Sequence, residues 1–315
     1  MITKLTNKTA AGVISFLFPL SSFLFPLSTF LLTSCKSGDQ DFPDFESQTC
    51  YFAKQYPVRT VELGNDLYVD LTRDNQHKVQ IQATMGGAYS NPRDITIDFG
   101  VEASLCGGVT FADGTEVTPM PESYYRLLGN QIVIPKGESV GGVEVQLEDD
   151  FFDDPLSVTN HYVIPVRMIK ATGVDSILSE KNFVLYAVKY VNRYHAEYLI
   201  NGDLQGATAF VTTKGLNTSL MTYAAKDAAG KAHNCELQLN FDNSGNCTVT
   251  TNTEGFTASG SGRFVEADES QLVGNRHPDT LYLDFQVSND GLGISVSEKY
   301  VLTVKTRGVK SETFK

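Results

Sequence analysis

"ELQLNFDNSGNCTVTT", residues 236–251, alternates apolar and polar side chains on both sides of a polar break. Leu237, Leu239 and Phe241 share one face of the first run, and Cys247 and Val249 share one face of the second. A period of two marks a half-buried strand, and Asp242-Asn243-Ser244-Gly245 supplies the turn residues of a hairpin. A turn centred on Asn243 and Ser244 sets Cys247 opposite Asn240 rather than Cys235, which disfavours a disulfide across the pair.

Similar runs occupy 196–200, 207–213, 219–224, 258–265, 280–287 and 299–306, with a second turn signal at Asn289-Asp290-Gly291. About eight antiparallel strands without a helix-period segment predict a closed up-and-down barrel over 191–315. Ser259-Gly260-Ser261-Gly262 inside one run predicts a bulge or sharp bend, where missing side chains let a barrel corner close. Upstream, 59–63, 78–84, 95–99, 131–134, 142–147, 161–169 and 182–190 read as strands broken by Gly, Asn, Asp and Pro. They predict a β-sandwich over 47–190. Short helical pieces are expected at 120–128 and 153–160. The fold class is all-β, a sandwich followed by an antiparallel barrel.

At 15–35 the sequence reads "SFLFPLSSFLFPLSTFLLTSC", with the heptad SFLFPLS repeated letter for letter. Lys4 and Lys8 precede it, and 9–34 carries no charge. Pro19 and Pro26 would interrupt a membrane-spanning helix twice. A positive start, an apolar run and small residues at its end are instead the layout of a secretory signal. Leu32-Thr33-Ser34-Cys35 looks like the lipobox of bacterial lipoproteins. Residues 1–34 are therefore expected to be a signal peptide, and Cys35 the acylated residue that anchors the chain in a lipid bilayer. The acidic, proline-bearing stretch 35–46 reads as a tether.

The formal charge of −12, with no basic stripe, argues against a nucleic-acid partner. No Cys-x-x-Cys spacing occurs, and His77, His161, His195, His233 and His277 are scattered without metal-ligand spacing. The glycine pairs at 86–87, 107–108 and 141–142 lack the Lys-Ser/Thr of a phosphate loop, and no Gly-x-Ser-x-Gly is present. The loudest charged cluster is EDDFFDD, 148–154. It can be read as a calcium loop or as a strand end leading into a helix capped by Asp153 or Asp154, with Pro155 at an early helical position. It lacks EF-hand spacing, and the capping reading is preferred. Cys50, Cys106, Cys235 and Cys247 are expected to be buried free thiols. No catalytic residue, metal or cofactor is assigned, and the chain is expected not to be an enzyme.

A set of short motifs carries a resemblance. They include Tyr51-Phe52, Pro57 to Thr60, Asp74-Asn75, ATMGGAY at 83–89, Met120-Pro121 and Tyr124-Tyr125. They continue with IPKG at 134–137, FFDDP at 151–155, YVIP at 162–165, GVDSIL at 173–178 and AVKYVN at 187–192. This part resembles a domain of unknown function common in lipoproteins of the Bacteroidetes, which also precedes the catalytic domain of some family-18 endoglycosidase-like enzymes. The C-terminal part, ending on RGVKSETF at 307–314, is similar to lipocalin-like β-barrel domains that follow it. One departure is Tyr194-His195, where the barrel's first strand usually reads Trp-His; the whole chain has no Trp.

The resemblance implies a cell-envelope lipoprotein of a glycan-utilisation system, binding glycan beside an outer-membrane importer. The stretch KSGDQD at 36–41 is similar to the acidic signal that sends such lipoproteins to the outer face. Tyr124, Tyr125, Tyr194 and Tyr198 are the candidate ligand-binding residues, since aromatic faces stack on sugars. The same rings are suited to filling the two cores. Two other roles are weighed: an adhesive or structural module contacting partner proteins, and a carrier of a small apolar ligand inside the barrel.

Overall fold

The computed structural model describes residues 47–66, 69–201, 206–267 and 278–308. The predicted signal peptide, Cys35 and the tether lie outside the described residues.

The N-terminal strands are β1 (Thr49–Tyr51), β2 (Val58–Glu62), β3 (Lys78–Gly86), β4 (Ile95–Val101), β5 (Thr118–Pro119) and β6 (Tyr125–Leu127). They continue as β7 (Gln131–Ile134), β8 (Val140–Leu147), β9 (Tyr162–Thr172), β10 (Ser176–Ile177) and β11 (Phe183–Val191). They form one sheet of eleven strands in the order β10-β1-β3-β8-β7-β4-β9-β11-β2, with β6 added to β8 and β5 to β9. The sandwich is thus a single curled sheet. Its two halves are joined where β7 meets β8, through the pair Val133↔Gly142. Val79, Ile81 and Val145 from one half and Ile97, Ile132 and Val166 from the other bury into one apolar core.

The corner explains a glycine pair. A Cβ on Gly141 would lie 1.9 Å from the Val133 carbonyl oxygen, and one on Gly142 would lie 2.8 Å from that of Ile81. Hydrogen side chains let β8 approach β7 at Gly141 and β3 at Gly142 this closely. On the outer face of β9 and β11, a second small core gathers Cys106, Phe111 and Val117 against Val163, Leu185 and Ala187.

The C-terminal strands are β12 (Ala196–Ile200), β13 (Thr208–Gly215), β14 (Thr218–Lys226) and β15 (Ala232–Phe241), then β16 (Asn246–Thr251), β17 (Thr257–Val265), β18 (Thr280–Asn289) and β19 (Ile294–Thr306). They close in chain order into an antiparallel barrel. Val211, Leu237, Leu239, Leu281, Leu283 and Leu302 point inward from four of the strands and pack as one buried core. Cys50, Cys106, Cys235 and Cys247 are all free and buried.

Three local expectations change. The 236–251 hairpin pairs Phe241 with Cys247, one residue from the expected register, because the Asp242 amide bonds the Asn246 carbonyl at 2.8 Å and leaves a loop of odd length, 243–245. Asp242 Oδ1 accepts the amides of Ser244 and Asn246, and Gly245 takes φ +79°, which fixes that length. The glycines of 259–262 make no bulge. The β17–β18 register is unbroken, and a Cβ on Gly260 or Gly262 would come within 2.5 Å of a β18 carbonyl oxygen, so they serve close strand approach. Finally, 120–128 holds only a 3-10 turn at Glu122–Tyr124, because Tyr125–Leu127 pairs with β8 as β6.

Candidate functional site

Three of the four candidate tyrosines are core residues. Tyr125, Tyr194 and Tyr198 are 9%, 1% and 0% exposed. Tyr194 stacks on Phe241 at 3.6 Å and meets Phe264 edge-on at 5.0 Å. The Tyr198 hydroxyl donates to the Tyr194 carbonyl at 2.8 Å. Tyr124 is half-buried and donates to Asp154 Oδ2 at 3.0 Å, beside Tyr162 at 2.5 Å. The four rings therefore occupy two separate cores and form no shared exposed platform. Burying a ring removes far more apolar area from water than exposing its face retains, which explains the outcome.

Asp154 is fully committed. Its Oδ1 accepts the Leu156 amide at 2.8 Å and caps the 3-10 helix Pro155–Val158. Burial works against its charge, but hydrogen bonds from Tyr162, the Leu156 amide and Tyr124 outweigh it and lower its pKa. The acidic cluster at 148–154 also folds as a short helix, α1 (Asp149–Asp153), with Phe151 and Phe152 in the core. Among the described residues, no group of three His, Cys, Asp or Glu side chains could hold a metal ion.

The better site lies at the far end of the barrel, remote from the β11–β12 link. There β12 stops at Ile200, opposite Leu302, and the β13–β14 ladder stops at Val211↔Met221. Strands β14 and β19 run on beyond those pairs. Tyr223 of β14 reaches across and donates to Glu298 Oε1 of β19 at 2.8 Å. Phe285 lies between the two tyrosines, 5.3 Å from Tyr223 and 5.4 Å from Tyr300, both edge-on. Phe285 and Tyr223 are buried and form a floor, while Glu298 and Tyr300 are half-buried.

Unlike Asp154, this group keeps unused hydrogen-bonding capacity. Neither Glu298 Oε2 nor the Tyr300 hydroxyl has a protein partner among the described residues, so an acceptor and a donor stand free beside an aromatic wall. Burial first, then Glu298, raises the pKa of Tyr300; burial and the Glu298 hydrogen bond raise that of Tyr223. Both remain protonated donors at neutral pH. The signal was present in 294–306, where Ile294, Val296, Glu298, Tyr300, Leu302 and Val304 alternate as the inward set. A carboxylate in an inward register is the anomaly that marks the site.

His195, beside the domain link, is a structural histidine. Its Nδ1 accepts the Thr213 amide at 3.2 Å, which requires a neutral ring with the proton on Nε2. Burial, then Lys189 and Arg307, lowers its pKa below 6.5. The unfolded chain therefore binds this proton more readily than the fold does. The stabilisation is full above about pH 6.5 and is lost as pH falls through the lower folded value. Denaturant titrations from pH 7 to 5 should show this loss, and His195→Gln should flatten the slope, leaving that of His77, whose pKa burial also lowers.

Comparison with known proteins places the chain. Residues 45–175 match a profile for an N-terminal domain, and 171–308 match a domain of unknown function (DUF5627). No curated protein matches. A Bacteroides ovatus protein of unknown function shares 38% identity over 86% of this chain and 98% of its own, with a TM-score of 0.78. A second from that species shares 14% identity over 82% of this chain and 93% of its own, TM-score 0.40. A candidate carbohydrate binding protein, also from Bacteroides ovatus, shares 12% over 84% and 97%, TM-score 0.31. The last two scores are too low to support inference. The first is decisive: the chain belongs to the family of that Bacteroides ovatus protein of unknown function, with the DUF5627 domain in its C-terminal part.

Proposed function

We propose that this chain is a non-catalytic binding protein that takes a glycan or glycoconjugate at the far end of its barrel. Acylated at Cys35, it is held at the outer membrane, faces outward, and works beside a glycan importer. The observation that carries the binding reading is the free Glu298 oxygen and free Tyr300 hydroxyl beside the Tyr223–Phe285–Tyr300 rings. A sugar offers the matching surface, a C–H face for the rings and hydroxyls that both donate and accept. Binding rather than hydrolysis is supported because Glu298 is the one carboxylate bonded to these tyrosines among the described residues, and glycoside cleavage ordinarily uses two. The lipid anchor and the importer rest on the sequence resemblance.

The test is a glycan array with soluble protein beginning at Lys36, followed by calorimetry on each hit. Tyr300→Ala should weaken binding about tenfold or more, equivalent to about 1.4 kcal/mol. A blank array for folded protein would favour the protein-contact role. That reading draws on the barrel's outer wall, where Phe210 is 62% exposed and Tyr282 pairs with the exposed Val301. An apolar ligand inside the barrel has less support, because the inward side chains already pack against one another.

A further inference from the structure

We infer that the far-end site selects neutral and amine-bearing saccharides against acidic ones; this rests on the binding reading above. Glu298 is the charged member of the group, and no ion pair neutralises it among the described residues. Its sequence neighbour Lys299 points to the opposite side of β19, 82% exposed, and pairs with Asp284 at 2.8 Å. Across the barrel, Tyr223 contributes a hydroxyl dipole but no positive charge. Arginine and lysine are the usual recognition groups for carboxylate and sulfate, and among the described residues neither pairs with Glu298.

The free Oε2 accepts a sugar hydroxyl or, more strongly, an ammonium. A uronate, sialate or sulfate brought to the same place meets a like charge in a half-buried setting where water screens poorly. The chain's net charge of −12 adds the same sign of bias at long range.

The experiment is an array carrying neutral, free-amine, carboxylated and sulfated glycans at about 0.15 M salt. Calorimetry then follows on hits paired with their charged or uncharged counterparts. Acidic counterparts should bind at least about tenfold more weakly than neutral ones, and amine-bearing ones at least as tightly. Glu298→Gln keeps an acceptor for Tyr223, and a melting curve verifies its fold. Whatever it does to neutral affinity, it should shrink the neutral-to-acidic ratio to about threefold or less and abolish any amine preference. Acidic glycans binding as tightly as neutral ones, with loss on Tyr300→Ala, would overturn the selectivity and leave the binding reading standing. An array blank for all four classes would overturn both.

Discussion

Gly141→Ala is expected to cost the N-terminal sheet about 3 kcal/mol, the upper end of the range for overpacking. One methyl group suffices because its neighbours are backbone: Val133 O at 1.9 Å, with the Val133 carbonyl carbon and Ile134 Cα both at 2.6 Å. No rotamer change relieves such a contact; β7 and β8 must separate. Their junction holds the two halves of the sheet together, so separation opens the core between them. Against a total stability of about 5–15 kcal/mol, the loss should be plain in denaturant unfolding. Gly215→Ala is the control. Its Cβ would meet nothing within 4 Å, and its expected effect is within about 0.5 kcal/mol.

Asn192 should be equally intolerant. It follows β11 directly, is 1% exposed, and ties that strand's end to the β13–β14 turn. Its Nδ2 donates to the carbonyls of Gly215 at 2.8 Å and Thr218 at 3.1 Å, and to Ser219 Oγ at 3.0 Å. Its Oδ1 accepts the Tyr194 amide at 3.1 Å, and its own amide donates to Thr213 Oγ1 at 2.9 Å. Asn192→Ala leaves buried partners unpaired, each costing about 1–3 kcal/mol, for a total of about 3 kcal/mol. Asn192→Asp keeps the shape but aims a carboxylate at two carbonyls. It should be at least as damaging as alanine. Thermal melts of both variants check this, and an Asp variant as stable as wild type would refute the hydrogen-bond argument.

The barrel was legible because each strand speaks for itself. In β15 the inward residues Cys235, Leu237, Leu239 and Phe241 alternate with outward polar ones, and the hairpin turns carry Asp, Asn and Gly. The shortest strands were not legible. Strands β5 and β10 are two residues each, and β6 competes with a helical spacing until β8 offers it a ladder. Gly141-Gly142 carried its message only through a partner strand distant in space. The site was missed for a related reason. Glu298 breaks the apolar alternation, so the last strand was expected to begin at 299, whereas it begins at Ile294. Tyr194 and Tyr198 drew notice as aromatics, yet a ring's identity does not reveal which way it faces.

The most direct measurement is an NMR titration of the soluble protein with the tightest array glycan, following tyrosine ring signals. Binding at the far end of the barrel predicts saturable shifts at Tyr300 and Tyr223, with Tyr124 and Tyr194 unmoved, and loss of the response in Tyr300→Ala. Shifts confined to Tyr124 and Tyr162, or to the outer-wall residues Phe210 and Tyr282, would contradict that placement.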